Sequence, residues 1–393
     1  MYPRLSIRVA AAILALPCLV ADAAGTADAP RRPQSDSEIV AKLRPGALPA
    51  SERESRQWRL DLERNPTNLP LALASARRSV QRARDEADPR QLGAAMAALA
   101  PWWSDNEPGP EVRVLRAIIR QSLHEFEPAI RDLEAAVQGS PRHAQAWLTL
   151  CSLHTLRGNF ASARGAALQL GKLSDPFTTL AVAAQIGSLT GHAAQAQSSL
   201  TQLLESEPAG TPPELRRWAE TLTAEIADRR GDFDAAGNHF RKAIRLGPRD
   251  PYLLATYSDF LLDRGHRGEV ADLLQGWDHA DGLLLRQVEA TGNPALAREL
   301  GDRLDSAFAR GDKLHLREAA RFELRIRHRP GRALTLALEN WDLQREPADV
   351  RILFEAATAA RDRKALETVR TWMESTGLED IHIPHPPTQN HRE

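Results

Sequence analysis

Apolar and small residues return every three or four positions along most of this chain, in stretches that are short and regularly interrupted. Ala129, Leu133 and Ala136 share one helical face, and Pro141 stands five residues beyond. Such spacing predicts an amphipathic helix, and a proline past its end cannot continue it. The set then recurs. Ala163 follows Ala129 by 34 positions, Ala196 follows Ala163 by 33, and Ala236, Phe240, Ala243 and Pro248 repeat the first spacing. Upstream of each set runs a second amphipathic stretch, for example Ala146 to Leu156, closed by a turn signal such as Gly158-Asn159-Phe160 or Gly231-Asp232-Phe233. Runs of alternating β-branched residues are scarce. The pattern predicts an all-α chain of helix, turn, helix and stop, repeated with a period near 34. One such unit cannot bury its apolar face alone, so successive units must stack.

These features resemble the tetratricopeptide repeat. That pattern places Trp or Leu near the start of a first helix, with a Leu-small pair three residues on. Its second helix carries Ala, an aromatic or Leu, Ala, then Pro. The unit from Arg142 to Asp175 fits best, with Trp147, Leu150-Cys151, Ala163 and Leu170 in register. Arg113 to Pro141, Gln185 to Pro208 and Glu220 to Pro248 keep the second-helix set, and Leu254 to Trp277 drifts to Val270 and Leu274. Beyond Trp277 only echoes persist: Gly292-Asn293-Pro294, Ala333 and Ala337 before Pro347, then Ala365, Val369 and Trp372 before Gly377. Trp58, Leu62 and Pro66 read as half a unit, followed by a degenerate pair from Leu69 to Trp103. The resemblance implies a right-handed superhelical solenoid of stacked antiparallel helix pairs over residues 51–377.

It further implies a concave groove, lined by first helices, that holds a protein or peptide partner. The register puts Leu148, Ser152 and Thr155 there, then Ala181, Gln185 and Ser188. Trp218, Thr221, Glu225 and Asp228 follow, and after them Tyr252, Ala255 and Asp259. The expected partner-binding set is therefore Trp218, Thr221, Glu225, Asp228, Tyr252 and Asp259. Its three carboxylates suit a basic or amine-bearing segment, and its two aromatics supply anchoring area. The competing reading makes those carboxylates local partners of Arg229, Arg230 or Arg264. A Lys/Asn clamp for a peptide's terminal carboxylate is missing, since its positions hold residues such as Val114, Ile118, Leu148 and Ser152.

The ends differ from the middle. Arg4 and Arg8, an apolar run from Val9 to Val20 and Ala21-Asp22-Ala23 read as a cleaved secretory signal over 1–23, implying a periplasmic or secreted protein. The alternative is a lipid attachment at Cys18, but Leu16-Pro17 poorly matches the small residue wanted before it. Residues 24–50 read as a flexible linker, and 378–393 as a disordered His/Pro-rich tail. No second apolar run has spanning length. Removing the signal leaves one cysteine, Cys151, hence no internal disulfide. Acidic and basic residues balance at 52 against 51, which offers no field for nucleic acid.

Candidate chemistry is sparse. His382, His385 and His391 suggest an accessory role in metal handling, although a spaced tail lacks the fixed scaffold of a built site. Cys151 fills a small-residue slot, where it reads as core. Trp102-Trp103 reads as the cap of a stacked helix. No nucleophile motif, zinc-hydrolase helix, phosphate-cradling loop or haem attachment is visible. The chain therefore reads as a non-enzymatic scaffold that needs no cofactor and no metal.

Overall fold

The structure is a computed structural model that describes residues 50–206, 210–247 and 250–384, together with Ser35 and Glu38. The chain divides after Arg53. In the first unit, Met1–Arg53, Glu38 N donates to Ser35 O at 3.1 Å, and the first turn of α1 (Ala50–Arg64) begins. The expected signal at 1–23 lies outside the described residues, as does the linker apart from Ser35, Glu38 and Ala50. The second unit, Glu54–Glu393, holds the remaining helices.

All regular structure among the described residues is helical. After α1, α2 (Leu69–Asp85) packs on α3 (Arg90–Ala98), followed by a single turn, α4 (Ala100–Trp103). Four pairs then stack: α5 (Pro110–Ser122) with α6 (Phe126–Gly139), α7 (Ala144–Leu156) with α8 (Phe160–Leu170), α9 (Pro176–Ser188) with α10 (Ala193–Glu205), and α11 (Pro213–Arg229) with α12 (Phe233–Arg245). Four more pairs continue the array: α13 (Pro251–Asp263) with α14 (Arg267–Leu273), α15 (Asp281–Thr291) with α16 (Pro294–Ala309), α17 (Leu316–Arg325) with α18 (Pro330–Leu343), and α19 (Pro347–Ala360) with α20 (Arg363–Thr376). First helices also touch the first helix of the next unit at most steps of the array, from α5 on α7 to α17 on α19, which is the stacking the repeat requires.

Local chemistry sets the boundaries. Asp175, Asp250, Asn293 and Asp362 accept backbone N–H bonds at helix starts, satisfying donors that have no intrahelical partner. Prolines open α9, α11, α13, α16, α18 and α19, where their missing N–H costs nothing. The recurring small residues are the stacking core: Ala129, Ala163, Ala236 and Ala333 have no exposed surface, and neither do Leu133 and Leu200.

The array does not stay open. Arg157 Nη1 donates to Asp342 O and Leu343 O, each at 2.7 Å, and Arg345 N donates to Leu156 O at 2.8 Å. The Trp372 ring covers Gly158 so closely that a Cβ there would lie 2.3 Å from the indole edge. Buried residues of α5–α9 and α15–α20 accordingly form one continuous apolar core. The superhelix has curled until its last units pack on the turns of its early ones.

A short strap completes this closure and corrects the expectation of a disordered tail from residue 378. After Gly377 ends α20 with φ +75°, Leu378–Pro384 runs over the turns of the α9–α10 and α11–α12 pairs. Leu378, Asp380 and Ile383 are buried, Ile381 N donates to Arg229 O at 2.8 Å, and Gly377 meets the Gly191 backbone. Two apolar side chains that find a core outweigh the polar composition that suggested disorder. Residues 385–393, including His385 and His391, lie outside the described residues.

Candidate functional site: a cavity walled by first helices

The curl encloses a cavity of about 430 Å³. Its wall draws on seven first helices in succession, from Thr155 of α7 to Glu355 of α19, whereas the second helices contribute only Phe240 among its lining residues. Asp380 and His382 of the strap complete one side.

The early units give it a neutral wall. Thr155, Gln185 and Ser188 line it without charge, and the Thr155 and Ser188 hydroxyls donate back to their own helices at Cys151 O and Gln185 O. The late units give it a lattice of ion pairs. Asp259 on α13 accepts from Arg286 on α15 at 2.5 Å and from Arg321 on α17 at 2.6 Å. Arg321 also holds Glu289 on α15 at 2.6 Å, and Arg325 joins Glu289 to Glu355 on α19. Arg351 binds both Glu355 and Asp263, the latter at 2.7 Å, which returns the chain of pairs to α13. The circuit is closed. Burial pushes the Asp259 carboxyl up, but Arg286 and Arg321 overcome this and hold it well below the usual carboxylate range. Glu318 is likewise drawn down to about 2, against burial, by Arg317 and its neighbours.

Of the six residues expected to bind a partner, the structure brings Glu225, Asp228, Tyr252 and Asp259 to this wall. Trp218 and Thr221 are not there, which is a correction. Both lie nearer the start of α11, where α9 and α10 pack on the helix: Trp218 is partly buried against the apolar cluster those helices form, and Thr221 is buried with its hydroxyl donating to Arg217 O at 2.8 Å. Trp218 shares the helical face of Glu225 but sits about two turns, roughly 10 Å, along the axis. The expectation of an openly acidic groove is corrected too. Asp228 pairs with Arg264 at 3.3 Å, as the competing reading held, and Asp259 is saturated by arginines that come from farther down the chain.

Glu225 differs from these. Its carboxylate accepts the Tyr252 hydroxyl at 2.7 Å and has no ion-pair partner within 4 Å among the described residues. Burial raises it to about 7, opposed by the Tyr252 hydrogen bond and by Arg229. Arg229 is pinned elsewhere, donating to Ser188 O and Oγ. The Tyr252 side chain stands out into the cavity, 55 % exposed, although helices surround it.

The histidine tail contributes one described residue. His382 Nε2 lies 3.0 Å from Asp228 Oδ2, and Asp228, Asp263 and His382 offer ligand atoms within 4.8 Å of one another. Arg264 and Arg351 already neutralise the two carboxylates, which opposes a divalent cation there. Cys151 is buried, and burial pushes its thiol up to about 11, so it is an inert core group. Around Trp102 and Trp103, backbone carbonyls accept from Arg116, whose other nitrogens bind Asp132.

The sequence reading missed Arg286, Arg317, Arg321, Arg325 and Arg351. A signal existed: Arg317, Arg321 and Arg325 recur at every fourth position, as do Asp259 with Asp263 and Arg351 with Glu355. Such rows share a helical face, but only the curl shows that these faces meet.

The chain is a tetratricopeptide-like helical repeat, by its paired helices, its buried small-residue register and its first-helix inner wall. No protein-family model matches the sequence, and no curated protein matches it. Among solved structures it is similar to the APC/C hetero-tetramer Cut9–Hcn1, at 14% identity and TM-score 0.43 over 82% of this chain and 52% of that one. This chain thus spans about half the length of that one. It is also similar to PilW, a type IV pilus biogenesis factor, at 11% identity and TM-score 0.30 over 70% of this chain and 96% of that one. A tetratricopeptide repeat protein from Parabacteroides merdae is similar at 13% identity and TM-score 0.35, over 83% and 99% of the two chains.

Proposed function

We propose that this protein is a non-enzymatic scaffold of the bacterial envelope, exported to the periplasm, that holds a basic segment of a protein or peptide partner at its inner wall. The observation that carries the reading is the convergence of seven first helices on one cavity, with Glu225 and Tyr252 presented into it. Export is supported by the basic and apolar start of the chain and its small-residue junction at Ala21-Asp22-Ala23. No helix among the described residues is long and apolar enough to cross a membrane.

A photoreactive residue at Thr256, on the cavity wall, is the test in cells. The same group at Leu168, 71 % exposed on α8, is the control for outer-face contacts. The reading expects a defined partner adduct from position 256 that is absent from 168 and lost in Glu225→Lys. An adduct that persists in Glu225→Lys, or that forms only from 168, overturns it. Sequencing the amino terminus of the mature protein checks export, with cleavage after Ala23 expected.

A further inference from the structure

The geometry points to a recognition site for one ammonium group on an apolar stem, seated between the Glu225 carboxylate and the ring face of Tyr252. This inference rests on reading the cavity as the partner-binding face, and it names the chemistry that the cavity selects. Three observations carry it.

The first is charge. Among the lining residues, nine carboxylates (Glu225, Asp228, Asp259, Asp263, Asp281, Glu318, Glu346, Glu355 and Asp380) face six arginines. The arginines of α15, α17 and α19 are each bound to carboxylates, and Asp281 is held by Arg303 at 2.9 Å. Glu225 and Asp380 have no ion pair within 4 Å among the described residues, and only Arg229 acts on both at longer range. Glu346, which shares Arg317 with Glu318 and Asp349, also acts on Glu225, so carboxylates outnumber cations at this end of the cavity. Asp380 lines the wall but is itself buried, whereas Glu225 is partly exposed and holds the Tyr252 hydroxyl, which makes Glu225 the carboxylate placed for a ligand.

The second is the surface beside it. Tyr252 gives Glu225 its hydroxyl and keeps its ring in the cavity, where an ammonium gains from the aromatic quadrupole. Leu222, Phe260, Leu283, Pro347 and Ile352 give part of the wall an apolar surface that suits the stem.

The third is size. A cavity of about 430 Å³ falls in the range of small-ligand sites, about 300–1,000 Å³, and is too small to hold a folded element. The same chemistry has two sources: a free organic amine, or the lysine side chain of a partner segment.

Titration calorimetry on the full mature chain distinguishes them, using hexylammonium, hexanoate and N-acetyl-lysine methylamide as probes. Hexylammonium is expected to bind and hexanoate not to bind. Glu225→Gln should weaken hexylammonium at least tenfold, and Tyr252→Leu about two- to fivefold. Affinity should also rise with pH through neutrality as Glu225 ionises. That titration is modulated by Asp228 and Arg229 of its own helix, Tyr252 of α13 and Glu346 before α19, while Arg317 of α17 acts on Tyr252 and the strap's Asp380 and His382 line the same cavity. Binding of hexylammonium alone assigns the site to free amines, and binding of both cations assigns it to lysine side chains. Equal affinity for hexanoate, or an unchanged affinity in Glu225→Gln with native helical circular dichroism, overturns the inference. Loss of amine binding with the Thr256 adduct intact removes the ammonium site but leaves the partner reading. Amine binding without the adduct does the reverse.

Discussion

The units from α7 to α10 and those from α13 to α19 build two walls of one cavity by different physics. The early units carry the clearest repeat signature and present neutral side chains to the cavity. Their cohesion comes from alanines and leucines that stack with no exposed surface. The late units have largely lost that signature, and their first helices are tied by arginine–carboxylate pairs that circle back on themselves. Apolar stacking tolerates many sequences of the right size, so it leaves a regular, recognisable pattern. A charge lattice depends on which helices face each other, and it leaves none of that regularity.

The charge lattice is most vulnerable at Arg321. Arg321→Ala should cost up to about 3–5 kcal/mol in urea unfolding, because half-buried Asp259 and Glu289 would each keep a single arginine, Arg286 and Arg325. A cost below about 1 kcal/mol would show the lattice to be ornamental. Leu200→Ala, in the neutral half, should cost about 2–5 kcal/mol through lost burial and a residual cavity.

Acid separates the two halves further. Glu318 is held at about 2 in the folded chain, below its ordinary value near 4.5. Its stabilisation is therefore present above about 4.5 and lost as pH falls towards 2, and Asp259 acts in the same direction. Hydrogen exchange during acidification should lose protection in α13–α19 before α7–α10, and the reverse order would refute the contrast.

Glu225 has the opposite sign. Its folded value near 7 lies above its ordinary one, so ionisation penalises the fold increasingly from about pH 4.5 upward, fully so above 7. Glu225→Gln should stabilise by about 1–3 kcal/mol at pH 8 and leave pH 4 nearly unchanged. The smallest effect belongs to the junction that lets the strap turn. Gly377→Ala should cost about 1 kcal/mol, from a positive φ and a Cβ placed 3.0 Å from the Gly191 backbone. Thermal melts will resolve it.

Much of the fold was legible in the chain itself. Ala129, Ala163 and Ala236 recur at intervals that only stacked helix pairs explain, and their burial follows from that period. The register also carried far enough to bring Glu225, Asp228, Tyr252 and Asp259 to the inner wall. It erred for Trp218 and Thr221, since a helical face repeats along the whole helix while a cavity meets only part of it. The strap was misread because Leu378, Ile381 and Ile383 stand among polar residues with no helical period to mark the two that are buried, Leu378 and Ile383.

Period and side-chain size are local properties, and they determined the helices, the pairing and the stacking. Closure was decided by tertiary structure alone. Arg351 reaches Asp263 across 88 positions, and Arg157 reaches Leu343 across 186. Whether Asp259 is an open anion or a saturated one depends on those distant partners, because electrostatic compensation follows distance in space and is indifferent to position in the chain.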